Sequence, residues 1–235
     1  GITRKLLGQL GGEPRAAAEV ALAVASGSLT TRIDIKSGDT TSLIAAMSKM
    51  QGSIKDFVAA QGEMKAQHDA GAISYRIDDK RFAGSYAEMA TMTNELVAAH
   101  IGVNTRVVEV VGQYAKGDLS VDMDKLPGEK AKITTAMDGV KASLQAVAAQ
   151  IRTLVDAAGC GDFTVRGDEA KFDHEFRKMV AGLNSLMQTS DTGLNEVARV
   201  LGALAKGDLT EKISNDYKGT FGKLKDDSNK TVENL

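Results

Sequence analysis

Residues 115–119 read AKGDL, and residues 205–209 read AKGDL again. Around this pair lie five similar segments: SGSLTTRID (26–34), AGAISYRID (70–78), KGDLSVDMD (116–124), CGDFTVRGD (160–168) and KGDLTEKIS (206–214). Each has glycine second and an apolar residue fourth. The glycines, Gly27, Gly71, Gly117, Gly161 and Gly207, are separated by 44, 46, 44 and 46 residues. Four near-equal intervals make repetition the organising feature of the chain.

Two residues past each glycine stands Leu29, Ile73, Leu119, Phe163 or Leu209, and six past it stands Ile33, Ile77, Met123, Gly167 or Ile213, where only Gly167 is not a large apolar residue. The glycine suits a helix C-terminus, where a left-handed residue is cheap without a Cβ. The two apolar residues then read as anchors for a connector. Upstream, the positions 14, 10, 7 and 3 residues before the glycine keep heptad spacing. They are Val103, Val107, Val110 and Tyr114 in the third repeat, Val147, Ile151, Leu154 and Ala158 in the fourth, and Gly193, Val197, Val200 and Leu204 in the fifth. The first keeps the seam in part, with Glu13, Ala17, Val20 and Val24. The second has Phe57, Gln61, Met64 and His68, which predicts the most polar and least stable core of the five.

Between connectors no residue is strong enough to stop a helix, so residues 40–70, 84–116, 131–160 and 174–206 each read as one long helix. A connector of about a dozen residues is longer than an antiparallel helical hairpin needs. It is long enough to climb back along a helix of about 22 Å, which lets the flanking helices run parallel. Two parallel helices with narrow seams do not enclose a core, so a second copy of the chain is expected. The predicted fold is all-α: parallel four-helix bundles formed by a homodimer and stacked into an elongated rod.

Helix, glycine, a connector with two spaced apolar anchors and a parallel second helix resemble the HAMP domain of bacterial signalling receptors. AKGDL followed by Ser120 or Thr210 is similar to the end of a first HAMP helix and the start of its connector. The opening ITRKLLGQLGGEPRAAAEVALAVASGSLTTRI (2–33), with Pro14 near a helix start, resembles a membrane-proximal HAMP. The series as a whole is similar to the multi-HAMP region of methyl-accepting chemotaxis proteins, with repeats one, three and five the clearest. The acidic Glu-x-Gly motif that usually opens the second HAMP helix is absent from all five, with SGD at 37–39 in its place in the first.

The resemblance implies no enzyme activity and no cofactor, and a role in passing conformational change from a transmembrane sensor to a cytoplasmic output domain. It implies a cytoplasmic part of an inner-membrane receptor, whose partners beyond its own second copy are a chemotaxis histidine kinase and a coupling protein reached through a further C-terminal domain. The chain begins GITRKLL and stops within an apparent helix, NKTVENL, as expected of a piece of a longer protein. A HAMP array of a sensor histidine kinase or nucleotide cyclase, and a passive coiled-coil spacer, are the alternatives. The expected repeats span 1–55, 56–99, 100–145, 146–189 and 190–235. Repeats two and four align without gaps, pairing Arg76 with Arg166, Asp78 with Asp168, Phe82 with Phe172, Tyr86 with Phe176, Met89 with Met179 and Asn94 with Asn184. This suggests a duplicated pair of units, with odd and even bundles resting in two packings.

Composition fits this reading. Apolar residues make up 43% and charged residues 26%, with two prolines, no tryptophan and a net charge of −2. Near neutrality supplies no electrostatic footprint for nucleic acid. Cys160 has no partner for an internal disulfide. His68, His100 and His174 are isolated from one another and from Cys160, with no metal-ligand spacing, and His68 falls on the seam as a core or interface residue. GQYAKGDLS and GTFGKLKDD lack the glycine-to-lysine spacing of a phosphate loop. Asp118, Asp162 and Asp208 recur with the connector and read as local hydrogen-bonding groups. Arg76 and Arg166 read as partners for a salt bridge across the dimer.

Overall fold

The computed structural model describes residues 2–234. Among the described residues lie seven α-helices: α1 Ile2–Leu10, α2 Pro14–Ala25, α3 Leu43–Asp69, α4 Ser85–Ala115, α5 Ala131–Gly159, α6 His174–Leu204 and α7 Gly219–Glu233. No strand occurs among the described residues. The four long helices lie inside the windows expected from the sequence. Neither proline interrupts one: Pro14 occupies the first turn of α2, where its missing N–H costs nothing, and Pro127 precedes a 3-10 turn at Gly128–Lys130. No helix among the described residues is long and apolar enough to cross a membrane.

The chain divides into two compact units, Gly1–Val108 and Glu109–Leu235. In the first, Ala17 and Val20 of α2 join Ile44 and Met47 of α3 around the half-buried Ile33 of the connector. A second core gathers Phe57, Ala60 and Met64 of α3 with Ile77 and Ala90, ringed by Tyr75, Phe82, Tyr86 and Val97. The ring of Phe57 lies 5.7 Å from Phe82 and 6.2 Å from Tyr86, and Gln61 Nε2 donates to Thr93 Oγ1 at 3.1 Å. Both partners advance together along the chain, so α3 and α4 run parallel. The polar residues that diluted this seam are accommodated: Gln61 has Thr93, and His68 Nε2 lies 3.1 Å from the Tyr75 carbonyl. The aromatic cluster makes the second repeat's core larger than its seam alone suggested.

In the second unit, Val147, Phe172 and Val180 form one core with Ile151 and Phe176 beside them. Val200, Ile213 and Val232 form another, flanked by Val197 and Tyr217. Gly193 of α6 faces the ring of Phe221 in α7, and farther along both helices Val200 meets Val232, so this pairing is parallel too. A Cβ at Gly193 would stand 2.8 Å from the Phe221 ring, so this mid-helix glycine is a packing contact. Val110, Tyr114, Met123 and Met137 are buried around the third connector. Each fully buried aliphatic side chain contributes about 1.5–3 kcal/mol, so each core rests on a handful of residues.

Candidate functional site

The repeated feature is a helix end and the connector that leaves it. All five repeat glycines are left-handed: φ is 81° at Gly27, 90° at Gly71, 85° at Gly117, 78° at Gly161 and 79° at Gly207. Each closes its helix with the same two hydrogen bonds. The glycine N–H reaches back three residues, and the next N–H reaches back five, as in Asp118 N–H to Gln113 O at 3.0 Å and Asp162 N–H to Ala157 O at 2.9 Å. This satisfies carbonyls that the helix end would leave bare.

In three repeats the residue after the glycine is an aspartate that holds the turn. Asp118, Asp162 and Asp208 each accept from the backbone N–H two residues on at 2.9 Å, and from the hydroxyl of Ser120, Thr164 or Thr210 at 2.6 Å. The hydroxyl first, then the backbone N–H, holds each carboxyl below its ordinary range. In the first repeat Asp39, in the SGD segment, accepts from Thr41 and Ser42 N–H, and Ser42 in turn caps α3 through Ala45 N–H at 3.2 Å. The Ser42 hydroxyl is the main cause of its lowered carboxyl.

The two anchor positions behave differently. The second is sequestered: Ile77, Met123 and Ile213 are only 3%, 4% and 2% exposed, and Ile33 is half-buried. The first is not. Ile73 and Leu209 are 50% and 41% exposed, while Leu29, Leu119 and Phe163 are half-buried. Within one chain the second anchor therefore docks the connector, and the first is covered in part at Leu29, Leu119 and Phe163 and left open at Ile73 and Leu209. Gly167, the exception, brings its backbone against the helices: a Cβ there would lie 2.7 Å from Val180 Cγ1 and 3.3 Å from Leu154 Cδ1. The space an anchor fills elsewhere is taken by the close approach of the chain, with Phe172 buried in the adjoining core.

Arg76 and Arg166 serve the connector of their own chain. Arg76 Nη1 donates to the Ile73 and Tyr75 carbonyls at 2.9 and 2.7 Å, and Arg166 Nη1 donates to those of Phe163 and Val165 at 2.5 and 2.8 Å. Arg166 Nη2 also reaches Gln188 at 2.6 Å. Nη1 of each guanidinium thus holds backbone oxygens of its own connector. Asp78 and Asp168 likewise match, each capping a 3-10 turn through the N–H two residues on.

One set of residues had no assigned part in the sequence reading. Asn94, Asn184 and Asn229, on the second helix of repeats two, four and five, each grip the second-anchor residue by both backbone groups. Ile77 N–H donates to Asn94 Oδ1 at 2.9 Å and Asn94 Nδ2 donates to Ile77 O at 2.8 Å. The same pair measures 2.7 and 2.9 Å at Gly167 with Asn184, and 2.9 and 3.0 Å at Ile213 with Asn229. Repeats one and three use a longer arm: Gln51 Nε2 to Thr31 O at 2.9 Å, and Lys141 Nζ to Val121 O at 3.3 Å. Lys141 also pairs with Asp122 at 2.6 Å, and the Tyr114 hydroxyl donates to the same Val121 carbonyl. The gapless match of Asn94 with Asn184 was the available signal.

At the other end of each connector a left-handed residue precedes or opens the next helix: Gly38, Gly84, Gly128, His174 and Gly219. His174, at φ 47°, is the single non-glycine residue with positive φ among those described. No group of three His, Cys, Asp or Glu side chains able to hold a metal occurs among the described residues. His68, His100, His174 and the exposed Cys160 lie at separate places on helices or helix ends.

Comparison with known proteins agrees with this geometry. Residues 103–145 match the family described as HAMP N-terminal domain 3, and residues 171–235 match the HAMP domain. The chain is 28% identical to the methyl-accepting chemotaxis protein McpB of Pseudomonas aeruginosa over 316 aligned positions, covering 77% of this chain and 46% of the relative. It therefore spans about half the length of that relative. Two stretches of the chain are thus similar to HAMP domains, and most of its length is similar to part of a methyl-accepting chemotaxis protein.

Proposed function

We propose that this HAMP region relays conformational change through a chemotaxis receptor, from a sensor to an output domain elsewhere in the parent protein. The observation that carries the reading is the recurrent connector. Each is tied to its own helices at a buried or half-buried second position, while the first anchor is less covered and an apolar stripe with steps of seven or eight residues stays exposed. On α6 that stripe is Met179, Leu186, Leu194 and Leu201, 43–61% exposed and within one face of a helix. Such a narrow seam suits a second copy of the same chain, giving parallel four-helix bundles over repeats 1–55, 56–99, 100–145, 146–189 and 190–235. Input would shift the balance between two packings of these bundles, with odd and even repeats in opposite states. Gly27, Gly71, Gly117, Gly161 and Gly207, with the paired anchors, set that balance.

In the parent, an output domain outside this chain would engage a chemotaxis histidine kinase and a coupling protein. The test is Leu119→Ala in the full-length receptor. Relay predicts biased or uncoupled output with the receptor still folded and dimeric. A passive spacer predicts unchanged output, and that result would overturn the reading.

A further inference from the structure

We infer that Asn94, Asn184 and Asn229 are positioning residues that set the register of each second helix against its connector, taking the place of the acidic motif this chain lacks. An asparagine amide presents one acceptor and two donors on a short, stiff stem, so it can satisfy the N–H and the C=O of one residue at once. All six bonds are made, between 2.7 and 3.0 Å. The gripped residue is always the one six past the repeat glycine, and the asparagine lies 17, 17 and 16 residues farther on. A slip of one residue along the helix moves the amide by about 1.5 Å and by about 100° around the axis. Neither bond survives that move. An apolar anchor tolerates it better, because packing is less directional than a paired hydrogen bond. The fourth repeat shows the point: at Gly167 there is no anchor side chain, and the clasp persists with its shortest bond.

The clasp does not follow odd and even repeats. Repeat five shares AKGDL with repeat three yet carries the clasp of repeats two and four, while repeats one and three reach a carbonyl four past the glycine from Gln51 and Lys141. The sequence alternation and the mode of attachment are therefore separate properties of a repeat.

The inference rests on the HAMP relay reading for its consequence, while its local claim is tested on the 235-residue chain by amide hydrogen exchange. Asn184→Leu should speed exchange of the Gly167 N–H at least tenfold, with amides in the middle of α5 and α6 changing less than twofold. Asn184→Asp keeps the acceptor and loses the donor, so it should give an intermediate loss. Asn195→Leu, on the same helix but bonded only to Asp191, should leave Gly167 protected. Unchanged protection at Gly167 in Asn184→Leu overturns the inference. So does equal loss throughout α5 and α6 in both Asn184 variants, which would mark a merely structural residue. If Gly167 opens as expected but output of the full-length receptor carrying Asn184→Leu is unaltered, the relay reading falls and the clasp stands.

Discussion

At the residue scale, His174 carries the most local strain. It takes the position that the gapless alignment of repeats two and four gives to Gly84, and both are left-handed, at φ 47° and 55°. A side chain in that region costs about 1–2 kcal/mol. His174→Gly should therefore stabilise the chain by about 0.5–1 kcal/mol, since freedom gained in the unfolded chain offsets part of the strain relieved. Gly84→Ala should destabilise it by about 1 kcal/mol; urea denaturation of the two variants checks both signs. The aspartate turns give a pH dependence. Asp118, Asp162 and Asp208 have carboxyls held below their unfolded value by a hydroxyl and a backbone N–H. Their contribution is complete above the unfolded pKa of about 4 and is lost as pH falls through the lower folded one. Replacing all three by asparagine should flatten the acid limb of a stability curve below about pH 4. An unchanged limb would mean the turns are not coupled to folding.

At the element scale, the two anchors should separate. Ile213→Ala removes a side chain 2% exposed and should cost about 2–4 kcal/mol. Leu209→Ala removes one that is 41% exposed, and in a single chain should cost less than about 0.5 kcal/mol. Gly167 should resist repair: Gly167→Ile restores the residue found at 33, 77 and 213, yet its Cβ meets Val180 at 2.7 Å, so a loss of about 1–3 kcal/mol is expected in thermal unfolding. From sequence Gly167 was visible only as a missing anchor, because the close approach that requires it depends on Val180 and Leu154. The helices were legible for a simpler reason. Left-handed glycines end them, and the stretches between contain no proline, so 131–160 was expected where Ala131–Gly159 is found. The clasp was harder to see, because an asparagine inside a heptad helix reads as a surface residue, and Asn229 stands one position off the register of Asn94 and Asn184.

At the scale of the whole molecule, the single chain leaves apolar surface that its own connectors do not cover. Met89, Met92 and Leu96 on α4 are 43–61% exposed, and α6 repeats the pattern from Met179 to Leu201. Isolated exposed leucines are ordinary, but a stripe at or near heptad spacing along helices of 31 residues suits the seam of a coiled bundle. A second copy is the occupant we propose, since a two-fold pairing would place each stripe against its own duplicate. The 235-residue chain of 24.8 kDa should therefore sediment at twice that mass at micromolar concentration. Leu186→Glu with Leu201→Glu places a charge in two layers of the seam, outside the cores of its own chain. That variant should sediment as a monomer and keep its helical circular dichroism. In the proposed dimer Leu209 would be covered as well, so Leu209→Ala should become costly only where the wild type is dimeric, which turns the small single-chain effect into a concentration-dependent one. A wild-type monomer across that range would remove the partner from the bundle, and with it the two-packing relay.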